Sequence, residues 1–328
     1  MGEPRVGVIG GSGLYELEGL TDVRWHRVRT PFGDPSDAYC IGRLGDREVV
    51  FLPRHGRGHR LIPSELPFRA NLYGMKALGV EWVISVSAVG SMREQIAPLD
   101  LVIPDQFYDN TKRRIPSFFA EGIVAHVSMA DPVCPDLADA LQAASAETGA
   151  TVHRGGTYIC IEGLQFSTKA ESRIYRSWGV DVIGMTNVPE VKLAREAELC
   201  YATLALVTDY DVWHETEADV TVEAVVANLL KNVATAKSVL KRVIPRLHGP
   251  RTCACPGLLR NAVITSPAAF PDSARRRLDI LIGKYFPPTA PAPSTRPRRP
   301  AAPLRAPGRA AAKAPSRPAA KRKGTRRG

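Results

Sequence analysis

Eight consecutive small or apolar residues, Cys200-Tyr201-Ala202-Thr203-Leu204-Ala205-Leu206-Val207, stop abruptly at Thr208-Asp209-Tyr210-Asp211. A short apolar run bounded by turn-forming polar residues reads as a buried strand. Its C-terminal tip delivers two carboxylates, two residues apart. In open α/β sheets the ligand crevice lies at such tips. Two acceptors there can read a donor edge, such as an amino group beside a ring nitrogen. The plain alternative is a helix N-cap and a solvated turn acid, since Asp is a common cap.

The same grammar recurs along the chain. Val6–Ile9, Val49–Leu52, Trp82–Val86, Leu101–Ile103, Thr157–Ile161 and Val182–Ile183 read as strands. Between them, Ser64–Leu78, Asp136–Thr148, Lys169–Trp178, Pro189–Cys200 and Val220–Val243 read as helices. Strand, polar tip, helix, repeated, predicts a single-domain α/β fold with a central mixed β-sheet flanked by helices. No internal repeat is present. No run of 18 apolar residues is present either, so no transmembrane helix is expected. The first residues, Met-Gly-Glu-Pro-Arg, enter a strand without the apolar core of a signal peptide, and a cytoplasmic protein is the expectation.

Charge divides the 328 residues unevenly. The net charge is +11, yet residues 287–328 alone hold twelve Lys and Arg and no acid. The remaining 1–286, expected to be the catalytic domain, is close to neutral. The Pro/Ala/Arg/Lys-rich tail cannot bury a core and is expected to be disordered. Weak binding to nucleic acid or to an acidic partner is one expectation for it, and a solvated extension without a fixed partner is the other.

Six cysteines stand at 40, 134, 160, 200, 253 and 255. The first four lie among apolar residues and read as small core residues. Cys253-Ala254-Cys255 is read as a separate pair. Its one-residue spacing is shorter than metal knuckles use, and His248 is the nearest further ligand, so no metal site is expected. Reduced thiols are expected in cytosol, with a strained disulfide as the alternative.

Four strand tips offer anion-binding chemistry. Gly10-Gly11-Ser12-Gly13 places glycine amides and a hydroxyl after the first strand. It lacks the third glycine of a dinucleotide fingerprint and the Lys-Ser/Thr end of a Walker loop. Arg54-His55, after the second, supplies a guanidinium fork suited to phosphate. Ser87-Ala88 and Thr186 add hydroxyls and backbone N–H groups. Together these residues describe an oxyanion cup; singly, each is an ordinary turn residue.

In these blocks the chain resembles the 5′-methylthioadenosine phosphorylases of the trimeric purine nucleoside phosphorylase family. The resemblance rests on Gly10–Leu14, Thr30–Gly33, Arg54–Gly56, Asn71-Leu72, Ser87–Ser91, Asp105-Gln106, Glu162-Gly163, Met185–Glu190 and Thr208–Asp211, in order over residues 5–265. It implies phosphorolysis of S-methyl-5′-thioadenosine, with inorganic phosphate as co-substrate, no cofactor, and a homotrimer whose neighbouring subunit completes the pocket. It implies that Ser12, Arg54, His55, Ser87, Ala88 and Thr186 line the phosphate site. Met185 would lie near the ribose, and Phe166 and Ser167 near the base. Asp209, with Tyr210 and Asp211 beside it, would meet purine N7 and the 6-amino group, and Asp209 would be the catalytic acid. Val222 and Val225 would shape the 5′ pocket. A broader purine nucleoside phosphorylase accepting adenosine, methylthioinosine or inosine is the alternative. A hydrolytic nucleosidase and a non-catalytic binding protein stand behind it. Two departures stand out. The family's usual Glu-Gly-Pro-Arg-Phe is Glu162-Gly163-Leu164-Gln165-Phe166 here, and Gly184 replaces a common Asn.

Overall fold

The computed structural model describes residues 5–11, 14, 16–214 and 222–287; the side chains of 222–225 and the basic tail from 288 lie outside that set. The elements in chain order are β1 (Arg5–Gly10), β2 (Leu20–His26), β3 (Tyr39–Leu44), β4 (Arg47–Pro53), α1 (Phe68–Ala77), β5 (Val80–Ser91), β6 (Leu101–Ile103) and β7 (Gln106–Asn110). They continue with α2 (Pro135–Ala146), β8 (Val152–Arg154), β9 (Thr157–Ile161), α3 (Lys169–Ser177), β10 (Val182–Gly184), α4 (Asn187–Glu196), β11 (Cys200–Asp209), α5 (Val222–Val243) and α6 (Asp272–Ile282).

The strands join one mixed sheet that forks at β5. One branch runs β2-β3-β4-β1-β5-β10-β9-β7; the other leaves β5 through β11 to β6 and β8. β1 and β11 both pair parallel with β5, whereas β10 pairs antiparallel with its last residues, Gly90 and Ser91. The twelve-residue β5 is therefore shared by two sets of neighbours, and its C-terminal half is where they diverge.

Alternation along the central strands decides which helices cover which face. On β11, Tyr201, Ala205 and Val207 enter one core with Leu72 and Met75 of α1, Val191 and Leu193 of α4, and Leu278 and Leu281 of α6. Cys200, Ala202, Leu204 and Leu206 enter the other, with Leu137 and Leu141 of α2 and Val239 and Leu240 of α5. A strand buried on both faces must be apolar at successive positions, which is why β11 reads as a run rather than as an alternation. Each fully buried Val or Leu contributes about 1.5–3 kcal/mol.

The pairing of β11 with β5 slips between Val207 and Asp209. This irregularity frees backbone carbonyls at the strand tip. Asn232 of α5 donates Nδ2–H to the Val207 carbonyl at 2.8 Å, and Asn228, one turn earlier, donates to the Thr208 carbonyl at 2.8 Å. A bulge satisfied in this way re-aims the side chains beyond it. Asp209 lands opposite Gly90, where a Cβ would stand 2.8 Å from Asp209 Oδ1.

Candidate active site

The tips of β1, β4, β5, β10 and β11 surround a cavity of about 520 Å³, within the size range of small-molecule sites. Gly11, Arg54, His55, Ser87, Ala88, Met185, Thr186, Phe166, Ser167, Asp209 and Asp211 all line it. Those eleven lie on segments from residue 11 to residue 211, and the sheet brings them to one wall.

Arg54 is 2% exposed, and its donors are largely committed. Nε and Nη2 hold the two Glu190 oxygens at 2.9 and 3.0 Å, Nη2 also reaches Ser85 Oγ at 2.6 Å, and Nη1 donates to the Val86 carbonyl at 3.0 Å. Burial works against the guanidinium, but the Glu190 carboxylate outweighs it and holds Arg54 charged. Ser85 Oγ and Tyr201 Oη donate to the same Glu190 oxygen. Arg54 is thus a positive wall pinned by a buried carboxylate rather than the open fork its position in the sequence implies. Glu190 has no role in the sequence reading. Its partner lies 136 residues away, and no local pattern marks the pair.

His55 Nδ1 donates to the Leu61 carbonyl at 2.8 Å; a carbonyl only accepts, so Nδ1 carries the proton. Its ring stacks on His59 at 4.3 Å. Burial, with Arg54 and His59 nearby, lowers the imidazole to about 4 despite the favourable Leu61 carbonyl. The ring is neutral at pH 7, and Nε2 presents a lone pair. Ser87 Oγ meets Thr186 Oγ1 at 3.1 Å, and Thr186 stands just before α4, whose first turn is broken by the extended Val188 (φ −117°, ψ 128°).

The opposite end carries the acids. Asp209 Oδ2 accepts from Thr208 Oγ1 at 2.6 Å, and Oδ1 accepts from the Asp211 N–H at 2.8 Å. Burial raises the Asp209 pKa over those two stabilising bonds. Asp211 sits in the left-handed region at φ 52°, a conformation Asp tolerates better than most residues. Burial also raises its carboxyl, and the neighbouring Asp209 adds to the effect. The Ser172 and Ser167 hydroxyls hold the Asp211 carboxyl down against that burial.

Tyr210 departs from the sequence reading. It is not part of the cavity lining. Its ring stacks on His214 at 4.6 Å and its hydroxyl donates to the Glu94 carbonyl. The bulge that turns Asp209 and Asp211 inward leaves the residue between them facing the other way. Ser12, Val222 and Val225 fall outside the described residues or side chains. In their stead, Leu14, Leu229, Leu230 and Val233 form an apolar wall. Leu229 and Val233 are four residues apart on α5, so the helical period of that segment carried a readable signal for this face.

Both departures from the family pattern have local explanations. A Cβ at Gly184 would lie 2.0 Å from Tyr158 Oη, so the tyrosine hydroxyl occupies the space a side chain would need. The loop after β9 lacks its own arginine but is held by Arg114. That guanidinium donates to the Val188 carbonyl at 2.5 Å and the Glu162 carbonyl at 3.1 Å.

Comparison with known proteins agrees with this arrangement. Residues 5–245 match the family model described as the phosphorylase superfamily. An S-methyl-5′-thioadenosine phosphorylase of Geobacter sulfurreducens is 60% identical, covering 86% of this chain and 99% of that protein. One from Koribacter versatilis is 56% identical over 87% of this chain and 97% of its own. Among solved structures, a methylthioadenosine phosphorylase from an antarctic soil metagenomic library superimposes with a TM-score of 0.81 at 48% identity, covering 85% of this chain and 98% of that one. The Schistosoma mansoni methylthioadenosine phosphorylase in complex with adenine reaches 0.75 at 35% identity, over 79% and 99% of the two chains. With its forked mixed sheet, its strand-tip cavity and a family match spanning most of its length, this chain belongs to the phosphorylase superfamily.

Proposed function

We propose that the protein is an S-methyl-5′-thioadenosine phosphorylase, converting that nucleoside and inorganic phosphate to adenine and 5-methylthioribose 1-phosphate. The observation that carries the reading is the polarity of the cavity. One end combines the Ser87–Thr186 hydroxyl pair and Arg54. The other holds two carboxyls of raised pKa, Asp209 and Asp211. An anion suits the first end, and a base with adjacent donor and acceptor groups suits the second.

Phosphate at the hydroxyl end attacks C1′ of the ribose as the C1′–N9 bond breaks. Its negative charge stabilises the oxocarbenium-like transition state. Protonated Asp209 donates to N7 of the leaving adenine, and the proton carried by HPO₄²⁻ restores the acid, so protons and charge balance. Its raised pKa keeps a protonated fraction available nearer neutral pH than a solvated Asp allows. Asp211 accepts from the 6-amino group. A 6-oxopurine places an acceptor there and is disfavoured, because a site built for a donor rejects analogues lacking it. Neutral His55 presents Nε2 as an acceptor for a phosphate hydroxyl. Met185 packs against the ribose and Phe166 against the base. Leu14, Leu229, Leu230 and Val233 receive the methylthio group.

The same reading includes a homotrimer in which a neighbouring subunit covers the 5′ end; Leu230, on the cavity wall, is 69% exposed in the single chain. It also places the enzyme in the cytoplasm, where the six free cysteines are at home. No described helix is long and apolar enough to cross a membrane. Residues 1–286 form the catalytic domain, and the tail beyond it binds acidic partners or nucleic acid weakly, with steep salt dependence.

Base release from methylthioadenosine, adenosine, methylthioinosine and inosine, each with and without phosphate, tests the proposal. Phosphate-dependent release, fastest with methylthioadenosine, is expected. Release without phosphate indicates a hydrolase, and faster inosine cleavage indicates the broader phosphorylase; either result overturns the assignment.

A further inference from the structure

Four cysteines that are far apart in the sequence converge at the base of β11. The Sγ atoms of Cys134, Cys200, Cys253 and Cys255 all lie within 4.8 Å of one another. Cys134 is the N-cap residue of α2, Cys200 opens β11, and Cys253 and Cys255 lie on the segment between α5 and α6. Three are buried and Cys253 is half-buried; all are free thiols. The sequence reading treats the first two as core filler and finds no second pair for the Cys253-Ala254-Cys255 motif. The fold supplies that pair, since the Cys134 N–H donates to the Tyr201 carbonyl and clips the start of α2 against β11.

The geometry points to a closed structural site for a divalent metal ion of the zinc type, coordinated by Cys134, Cys200, Cys253 and Cys255. Zn²⁺ holds four thiolates at about 2.3 Å, which sets the sulfur–sulfur edges of its tetrahedron near 3.8 Å. The observed mutual separations need shrink by at most about 1 Å to meet it. Two disulfides would require the sulfurs to sort into two bonded pairs at about 2 Å, whereas Cys200 and Cys253 stand 3.3 Å apart and all four remain mutually close.

The surrounding charge favours the same occupant. Binding replaces four thiol protons with one metal ion and leaves the Cys₄ centre at −2. Two guanidinium groups stand ready to offset it. Arg195 Nη1 is 4.0 Å from Cys255 Sγ, and Arg251 Nη1 is 3.9 Å from Cys200 Sγ. Arg251 is also paired with Glu81 and bonds the Glu198 carbonyl. Arg195 is different: it is 7% exposed, it donates to the Ser128 carbonyl, and its buried Nε has no hydrogen-bond partner. A neutral disulfide or a cluster of thiols gives a buried cation no counter-charge; a thiolate centre does. Four protein ligands leave no open position for substrate. The ten-residue β11 separates the centre from Asp209 by about 30 Å. The metal therefore staples α2, β11 and the segment after α5, and takes no part in the chemistry.

The test is metal content and thiol accounting on the full-length protein, purified with reductant and without chelator. About one zinc per chain is expected by mass spectrometry, released only as four thiols are titrated by a mercurial. Cobalt exchange is expected to give the visible bands of tetrahedral cobalt thiolate. Cys200→Ser and the more exposed Cys253→Ser are expected to lose the metal, and Cys40→Ala to keep it. Wild-type protein that carries no zinc and takes up no cobalt overturns the site. Six thiols titrating freely would then identify plain reduced cysteines, and two titrating until a reductant is added would identify disulfides. The wild-type measurements stand even where a variant fails to fold.

Discussion

The two ends of β11 share a strand and nothing else. At its start, Cys200 is sealed among sulfurs and apolar side chains, with two arginines behind them. At its finish, a slip in register turns Asp209 and Asp211 into an open cavity. Between them every residue is at most 2% exposed. The strand is a rigid spacer, and the difference shows how one element serves two purposes. The N-terminal end of the sheet holds the fold together, and the C-terminal end presents reactive groups, as the crevice rule for α/β sheets requires.

Breaking the C-terminal end has the largest expected effect. Asp209→Asn removes the proposed proton donor and is expected to lower kcat by about 10²–10⁴-fold, with the KM for phosphate little changed. In the wild type, activity falls as pH rises through the raised Asp209 pKa, since the acid form is the working one. That limb disappears from the pH–rate profile of Asp209→Asn. Next, Glu190→Ala leaves Arg54 charged, buried and unpaired. A loss of about 3–5 kcal/mol in unfolding free energy is expected by denaturant titration, together with a higher KM for phosphate. A smaller effect follows from Asp211→Asn, whose amide can also donate. The ratio of kcat/KM for methylthioinosine to that for methylthioadenosine is expected to rise by about 10–100-fold.

At the other end, Cys253→Ser is expected to lower Tm by several degrees while kcat stays within about twofold, and equal losses in both would erase the distinction between the two ends. The smallest effect concerns Glu196, at the end of α4 beside Arg195. Burial lifts its carboxyl to about 7 over the bonds it accepts from Phe118 N and Ser117 Oγ. A carboxyl raised on folding stabilises below its unfolded pKa, and that stability is lost as pH rises through about 7. Glu196→Gln is expected to flatten the dependence of unfolding free energy on pH between about pH 5 and 8, by on the order of 1–3 kcal/mol.

Elements buried on both faces or strongly amphipathic were legible in the chain: β1, β4, β5, β9 and β11, and helices α2 to α5, all lie where periodicity places them. Most of those that were not legible lack an apolar signature, although β3, buried at five of its six positions, was missed as well. Six of the seven residues of β2 are exposed, and β7 is Gln106-Phe107-Tyr108-Asp109-Asn110, an edge strand held only through β9. α6 buries four residues of eleven and carries three consecutive arginines. Of the site residues, the strand tips were readable because Gly, Ser, Arg and Asp interrupt apolar runs there. Tyr210 was misplaced, since only the bulge decides which of three consecutive residues points inward.

Local order along the chain was enough to say that a buried strand ends in acids, that hydroxyls and Arg54 end its neighbours, and that a hydrogen-bond donor edge and an anion suit such tips; the nucleoside came from the family resemblance. Periodicity and turn chemistry act over a few residues, so they are written in the sequence itself. The Arg54–Glu190 pair, the inward turn of Asp209, the Arg114 support of the loop after β9 and the convergence of four cysteines were settled only by folding. Each joins groups tens to more than a hundred residues apart or depends on register. Burial and charge pairing between distant segments have no period that a single chain can display.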